Sequence, residues 1–354
     1  MCFLLSLSFD NTMGNGEMVT TENDDSGDSS SSIHNNLSLY KSPQEQLELI
    51  HRIQDALTKQ FKVYSGKDTN GIYYESIQDM WQQEGFLSQD EEAVKKSTPL
   101  VGTSKVSSPQ WYNKSHAYWH KESNVPATID GMLGGYATLS ARDLQTSHLF
   151  LQDIINERLL LKKRYDNREQ VEDKEAFRSC ECGAGIGRVT KGLFLPFGFQ
   201  SCHLVETSSR LLEAAPSYIG EIDATEKCNY IHAGLQNFSP EPSTYDIIWV
   251  QWVIGYLTDW HAVEFFIRMG KALKPGGAIV LKDNTCTDEA FLADKGDSDV
   301  TRSLGYLMAL VQESGLTVVK DGNREDMIQW QDDFPDEIFP VPMIALEWKK
   351  EEEA

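Results

Sequence analysis

Along residues 177–348, short apolar runs alternate with longer stretches whose apolar positions recur every three or four residues. The runs at 177–182, 201–206, 229–233, 245–251, 277–282, 315–320 and 341–348 have the length and composition of strands. The stretches at 188–197, 208–218, 260–273 and 300–313 have helical spacing. Seven strands interleaved with helices predict an α/β chain built on a doubly wound, mostly parallel seven-stranded sheet with helices on both faces. Lys274-Pro275-Gly276-Gly277 marks a sharp helix stop before the next strand. Upstream, Leu144, Leu149, Leu151, Ile154, Ile155, Leu159 and Leu160 give an amphipathic helix over 141–163, and residues 111–119 are aromatic with helical spacing. Residues 126–136, with Gly131, Gly134 and Gly135, read as a loop. Two further helices are predicted at 43–62, opened by Ser42-Pro43, and at 72–84, followed by a polar linker over about 88–108. Residues 1–42 carry Ser, Asn, Asp and Gly without periodicity and are expected to be a disordered acidic tail. The expected division is therefore 1–42 tail, 43–108 helical extension and linker, and 109–350 one domain.

The loop after the first of these strands is the most specific local signal. Glu181-Cys182-Gly183-Ala184-Gly185-Ile186-Gly187-Arg188 places three glycines at alternate positions between a strand and a helix. Glycines there let the backbone turn tightly and approach a ligand that a Cβ would push away. Glu206 closes the second strand, about twenty residues on, where a carboxylate can accept two ribose hydroxyls. The spacing is G-x-G-x-G, not the G-x-G-x-x-G that cradles a pyrophosphate. It points to a nucleoside without phosphates, of which S-adenosylmethionine is the usual one. In a doubly wound sheet the ligand lies at the carboxyl ends of the strands. The third strand leads to Gly234-Leu235-Gln236, where a backbone amide or Gln236 can read adenine, although Gln236 fits a surface position equally well. The fourth ends at Gln251-Trp252, and Arg188 is placed to meet a methionyl carboxylate bidentately.

Further polar groups stand at the ends of apolar runs. They are Lys282-Asp283-Asn284, the acidic loop with Asp294, Asp297 and Asp299, and Trp252-Val253-Ile254-Gly255-Tyr256. Trp119 lies upstream among Trp111, Tyr112 and Tyr118. Aromatic walls and fixed carboxylates suit an amine that must meet a methyl donor in line, away from water. Core packing explains Trp119 and Trp252 as well, and a solvated turn explains the acidic loop as well.

Charge and cysteine usage narrow the classes. With 54 acidic and 32 basic residues the net charge is −22, which repels phosphate backbones and argues against nucleic acid. Such a surface suits a basic polypeptide, though a merely solvated surface also accounts for it. The six cysteines form no C-x-x-C pair, so reduced thiols and no metal are expected. The apolar opening of the chain lacks a basic flank, and no run approaches a membrane span. These features point to a cytoplasmic location, with the nucleus also open.

Taken together, Trp119, Asp130-Gly-Met-Leu-Gly-Gly-Tyr136, the glycine loop through Lys191, Gly234-Leu-Gln236, Tyr245-Asp-Ile-Ile-Trp-Val-Gln-Trp-Val-Ile-Gly255 and Leu281-Lys-Asp-Asn284 resemble the alpha N-terminal protein methyltransferases over about 110–348. The resemblance implies a class I S-adenosylmethionine-dependent methyltransferase fold and methylation of the α-amine of proteins that begin X-Pro-Lys or X-Pro-Arg. It implies S-adenosylmethionine contacts at Gly183, Arg188, Glu206, Ser208, Leu235, Gln236 and Gln251. It implies peptide contacts at Trp119, Leu133, Trp252, Asp283, Asp294 and Asp299, and chemistry at Asn284, Asp297 and Tyr256. Tyr256 stands where the family usually has histidine, Asp299 where serine is common, and Glu206 where aspartate is commoner. Because an α-amine has a pKa near 8, roughly a tenth is neutral at pH 7, so a strong base is not compulsory and Asp297 is expected to take the proton with Tyr256 as orienter. Two alternatives remain at this point: a small-molecule amine methyltransferase on the same fold, or a non-catalytic protein that has kept it.

Overall fold

The computed structural model describes residues 43–60, 65–86, 109–170, 176–287 and 290–348. The tail at 1–42 and the linker at 88–108 lie outside the described residues. The strands are β1 (Gly66–Asp68), β2 (Tyr73–Tyr74), β3 (Arg178–Cys182), β4 (Ser201–Glu206), β5 (Cys228–His232), β6 (Tyr245–Gln251), β7 (Leu273–Lys282), β8 (Thr285–Cys286), β9 (Phe291–Asp294), β10 (Asp299–Ser303), β11 (Leu316–Val318), β12 (Ile328–Trp330) and β13 (Pro342–Trp348).

The main sheet follows the order β11-β13-β7-β6-β3-β4-β5, with β12 pairing β13 off this path. From β7 to β5 every pair is parallel, whereas β13 runs antiparallel to β7 and β11. β6 is buried at all seven positions, as an interior strand covered on both faces must be. The order reverses at β3, where successive connections go to opposite sides, and this switch point opens a crevice at the strands' carboxyl ends. Apolar cores fill both faces of the sheet. No helix among the described residues is long and apolar enough to cross a membrane.

Besides β12, which was not anticipated and makes the main sheet eight-stranded rather than seven-stranded, four elements differ from the sequence expectation. The single helix over 141–163 is two, Ser140–Glu157 and Leu159–Asp166, because Arg158 is extended at the junction and its guanidinium bonds the Gly276 carbonyl at 2.7 Å. The helix over 72–84 starts late, at Ile77–Gln83, where Ser76 and Asp79 form a reciprocal cap; Tyr73 and Tyr74 before it are a strand. The helix over 300–313 begins at Leu304, after β10, with Ser303 as its cap. The loop at 126–136 contains a helical turn, Ile129–Met132, capped by Thr128.

A second sheet, of order β2-β1-β9-β10-β8, was not foreseen from the sequence. Its strands are only two to five residues long, too short for alternation to register. In it β1, from the N-terminal extension, lies parallel to β9, and β9 and β10 form the hairpin that carries the acidic loop. The extension is anchored in the core: Leu49, Ile53, Met80 and Trp81 are buried, and the Trp81 indole donates to Asp259 Oδ2 at 2.8 Å. Asp259 also pairs with the buried Arg302 and accepts from Tyr306, so extension and β10 meet on one carboxylate.

Candidate active site

The crevice at the switch point encloses about 1030 Å³ of empty space, part of it open to solvent. It is floored by the glycine loop. Gly183, Gly185 and Gly187 have φ of +70°, +53° and +80°, a region that side-chain-bearing residues avoid. A Cβ on Gly183 would stand 2.7 Å from Val253, and one on Gly185 would stand 2.4 Å from the Met132 sulfur. The loop is held from below by Glu181, whose carboxylate accepts the amides of Val189 and Thr190 and the Thr190 hydroxyl. Burial lifts this carboxyl to about 7 against those bonds.

Of the residues expected to hold the cofactor, Gly183, Arg188, Glu206, Leu235, Gln236 and Gln251 all line the crevice. The Glu206 carboxylate accepts the amides of Gly185 at 2.9 Å and Ser208 at 2.8 Å, which fixes it at the end of β4 with further lone pairs available. Burial raises its pKa, and the backbone amides oppose the rise. Leu235 and Gln236 sit on a loop whose carbonyls are gripped by Arg268 at 2.9 and 3.1 Å. Ser208 departs from expectation: it does not line the crevice, and its hydroxyl meets His120 Nδ1 at 3.2 Å.

Arg188 has a partner that sequence reasoning did not name. Its guanidinium pairs with Asp143 at 2.8 Å, and Lys282 Nζ lies 2.6 Å from the other oxygen of the same carboxylate. Gln251 donates to Asp143 at 2.9 Å and accepts from the Trp249 indole at 2.7 Å. Asp143, Lys282 and Arg188 are all nearly inaccessible to solvent. Burial works against the Asp143 charge, but Lys282 and Arg188 together hold the carboxyl below its usual range. The available signal was the buried stripe of the helix Ser140–Glu157, in which Asp143 shares a face with Ser147, Phe150 and Ile154. A carboxylate on such a stripe demands a buried cation.

The aromatic end of the crevice is formed by Trp119, Tyr256, Trp252 and Leu133. Trp119 and Tyr256 meet edge to face, with centroids 5.9 Å apart at 87°. Trp252 adopts φ of 52°, a strained conformation for a large residue, and Arg188 lies 5.5 Å over its ring. Asp283, expected on the peptide, spends its carboxylate on the backbone instead: Oδ2 accepts the amides of Val253 and Ile254, and Oδ1 that of Asn284. Burial raises its carboxyl to about 6 against those three bonds. Asp283 thus shapes the Trp252–Tyr256 turn and is not among the residues lining the crevice. The acidic hairpin meets the crevice where Tyr256 Oη donates to Asp297 Oδ2 at 2.9 Å. Asp297 is buried, which raises its carboxyl, while burial and the nearby Asp297 and Asp299 raise the Tyr256 phenol well above its usual value. Asp299 packs against the turn so closely that a Cβ on Gly255 would fall 1.8 Å from it. Asn284 is buried just before β8, in the same sheet as the hairpin, whereas Asp294 is half exposed at the end of β9.

Residues 107–347 match the AdoMet dependent proline di-methyltransferase family. The chain belongs to this family. It is 41% identical over 237 residues to N-terminal Xaa-Pro-Lys N-methyltransferase 1-B of Xenopus laevis, which spans 67% of this chain and 95% of that protein. It is 40% identical to the Rattus norvegicus enzyme named N-terminal Xaa-Pro-Lys N-methyltransferase 1, over the same shares. A solved SAM-dependent methyltransferase from Leishmania major superposes with a TM-score of 0.60 at 33% identity, covering 80% of this chain and 96% of that one. The fold is therefore the class I methyltransferase fold, and this chain is an S-adenosylmethionine-dependent methyltransferase. The crevice fits that cofactor. Gly183 and Gly185 leave room that side chains would fill, Glu206 is presented for a ribose, and Arg188, the one Arg or Lys lining the crevice among the described residues, is paired with Asp143.

Proposed function

We propose that this enzyme methylates the α-amino group of proteins that begin Xaa-Pro-Lys or Xaa-Pro-Arg. The observation that carries the reading is the hydrogen bond from Tyr256 to Asp297, because it joins the aromatic end of the cofactor crevice to the acidic hairpin. Bound in the crevice, S-adenosylmethionine supplies an electrophilic methyl group. The names of the relatives support the substrate class.

Each residue's part follows from its surroundings. Proline has a fixed φ and no N–H, so it is accepted between flat apolar walls, which Trp119 and Trp252 provide. The α-amine attacks only when neutral. Asp297 accepts its proton, and burial that raises the carboxyl improves the match between acceptor and amine. Tyr256 remains protonated and donates, so it fixes the acceptor's orientation without serving as a base. Asn284 holds the amine, and Asp294 supplies negative potential for the third-position cation, whereas burial and the neighbouring Asp297, Asp283 and Asp294 raise the Asp299 carboxyl well above its usual value.

The test is mass spectrometry of a Ser-Pro-Lys peptide, a Ser-Pro-Glu peptide and a panel of small amines after incubation with enzyme and S-adenosylmethionine. Methyl groups on the α-nitrogen of the first peptide alone are expected. Turnover of small amines with no turnover of the peptide would overturn the reading.

A further inference from the structure

The acidic hairpin contains its own cation. Lys295 lies between Asp294 and Asp297 in sequence, so its flexible side chain can reach either carboxylate and compete with a substrate's lysine. In this structure it does not compete. Its ammonium bonds Glu84, stands 3.9 Å from Asp68 Oδ2, and lies 5.4 Å over the Tyr74 ring. All three partners belong to the extension at 65–86, outside the matched family region at 107–347.

The extension also grips the hairpin backbone. Thr69 accepts the Lys295 amide on its hydroxyl at 3.0 Å and donates that hydroxyl to Asp294 Oδ1 at 3.4 Å, while its own amide bonds the Ala293 carbonyl. β1 is in register with β9 through Gly66–Phe291, Lys67–Leu292 and Asp68–Ala293. The Lys295 and Glu84 side chains are only 16% and 25% exposed, so their pairing is partly shielded from salt.

Building on the function proposed above, we propose that Glu84 and Asp68 are specificity-determining residues. They draw Lys295 away from the hairpin and leave the Asp294 carboxylate to a cation at the substrate's third position. Asp68 is also committed to its own turn, through the amides of Asn70 and Ile72 and the Tyr74 hydroxyl. Glu84 is therefore the residue to change.

In full-length enzyme, Glu84→Lys repels Lys295 towards the hairpin. The expected result is a KM for Ser-Pro-Lys peptide raised about fivefold with kcat unchanged, the upper range for one partly exposed ion pair. A Ser-Pro-Gln peptide should show no such rise. In the Glu84→Gln background, adding Lys295→Met should restore the KM, since neither position then carries a cation. An equal rise on both peptides, an unaltered KM, or failure of Lys295→Met to rescue would overturn the inference, because each is what mere loosening of the extension predicts. Should Glu84→Lys lower the melting temperature strongly, the milder Glu84→Gln is read by the same peptide contrast and the same rescue. Wild-type enzyme that ignores every X-Pro-Lys peptide would instead refute the proposed function, a separate outcome.

Discussion

Replacing Asp143 by asparagine should cost stability and cofactor affinity together. The carboxylate is shared by Lys282 at 2.6 Å, Arg188 at 2.8 Å and Gln251 at 2.9 Å, in a site closed to water. Removing one partner of a buried ion pair typically costs about 3–5 kcal/mol, because the other charge stays buried and uncompensated. Set against a usual total of roughly 5–15 kcal/mol, that is a large fraction. For a domain of this size it lowers the melting temperature by roughly 10 °C. Because Arg188 and Gln251 line the crevice, S-adenosylhomocysteine binding should weaken in the same variant. The loss has a pH signature. Asp143 has a depressed carboxyl, so its contribution is present above the ordinary aspartate pKa of about 4 and is lost as pH falls through the lowered value. Wild type and variant should therefore differ most at neutral pH and converge in acid. Lys282 is already lowered by burial, with Asp143 opposing, so the variant should regain stability towards alkaline pH as that lysine sheds its proton. Denaturant unfolding across pH, with calorimetric titration of S-adenosylhomocysteine, measures both effects. Coupling Asp143→Asn to Lys282→Met removes one stranded charge and should recover part of the loss. A single variant within about 1 kcal/mol of wild type at pH 7, or a double variant no better than the single, would refute the reasoning.

Gly183→Val should abolish cofactor binding while leaving the circular dichroism spectrum near wild type, since the new side chain would enter the crevice against Val253 from a positive φ; measurable calorimetric binding would count against the floor assigned to this loop. Asp297→Asn should lower kcat roughly 10²- to 10⁴-fold, as loss of a proton acceptor does, whereas Tyr256→Phe should cost about tenfold through one hydrogen bond to a charged group; equal small losses in steady-state assays would sink that division of roles. Activity should rise with pH through the α-amine pKa of about 8. Because burial raises the Asp297 carboxyl, its acid limb should lie above that of a free aspartate and vanish in Asp297→Asn, which a kcat/KM profile would show.

The sequence alone determined the sheet and its ligand. Hydrophobic periodicity is a local property, and seven apolar runs separated by helical stretches admit few topologies beyond a doubly wound sheet. The G-x-G-x-G loop, Glu206 and the Trp252–Tyr256 stretch lie on those strand ends, so the crevice was legible from spacing. Tertiary structure decided what the polar residues do there. Asp143 and Lys282 are 139 positions apart, and no local pattern announces that one buried carboxylate will be shared by Lys282 and Arg188. Asp283 and Asn284 are adjacent in sequence, yet the first turns onto backbone amides. The second sheet escaped because its strands are too short to show a period, and the role of residues 65–86 escaped with it. The parallel pairing of β1 with β9 joins segments more than two hundred residues apart. Such pairing is settled by backbone hydrogen bonding and by the burial of Trp81 and Phe291, which are properties of the folded chain as a whole.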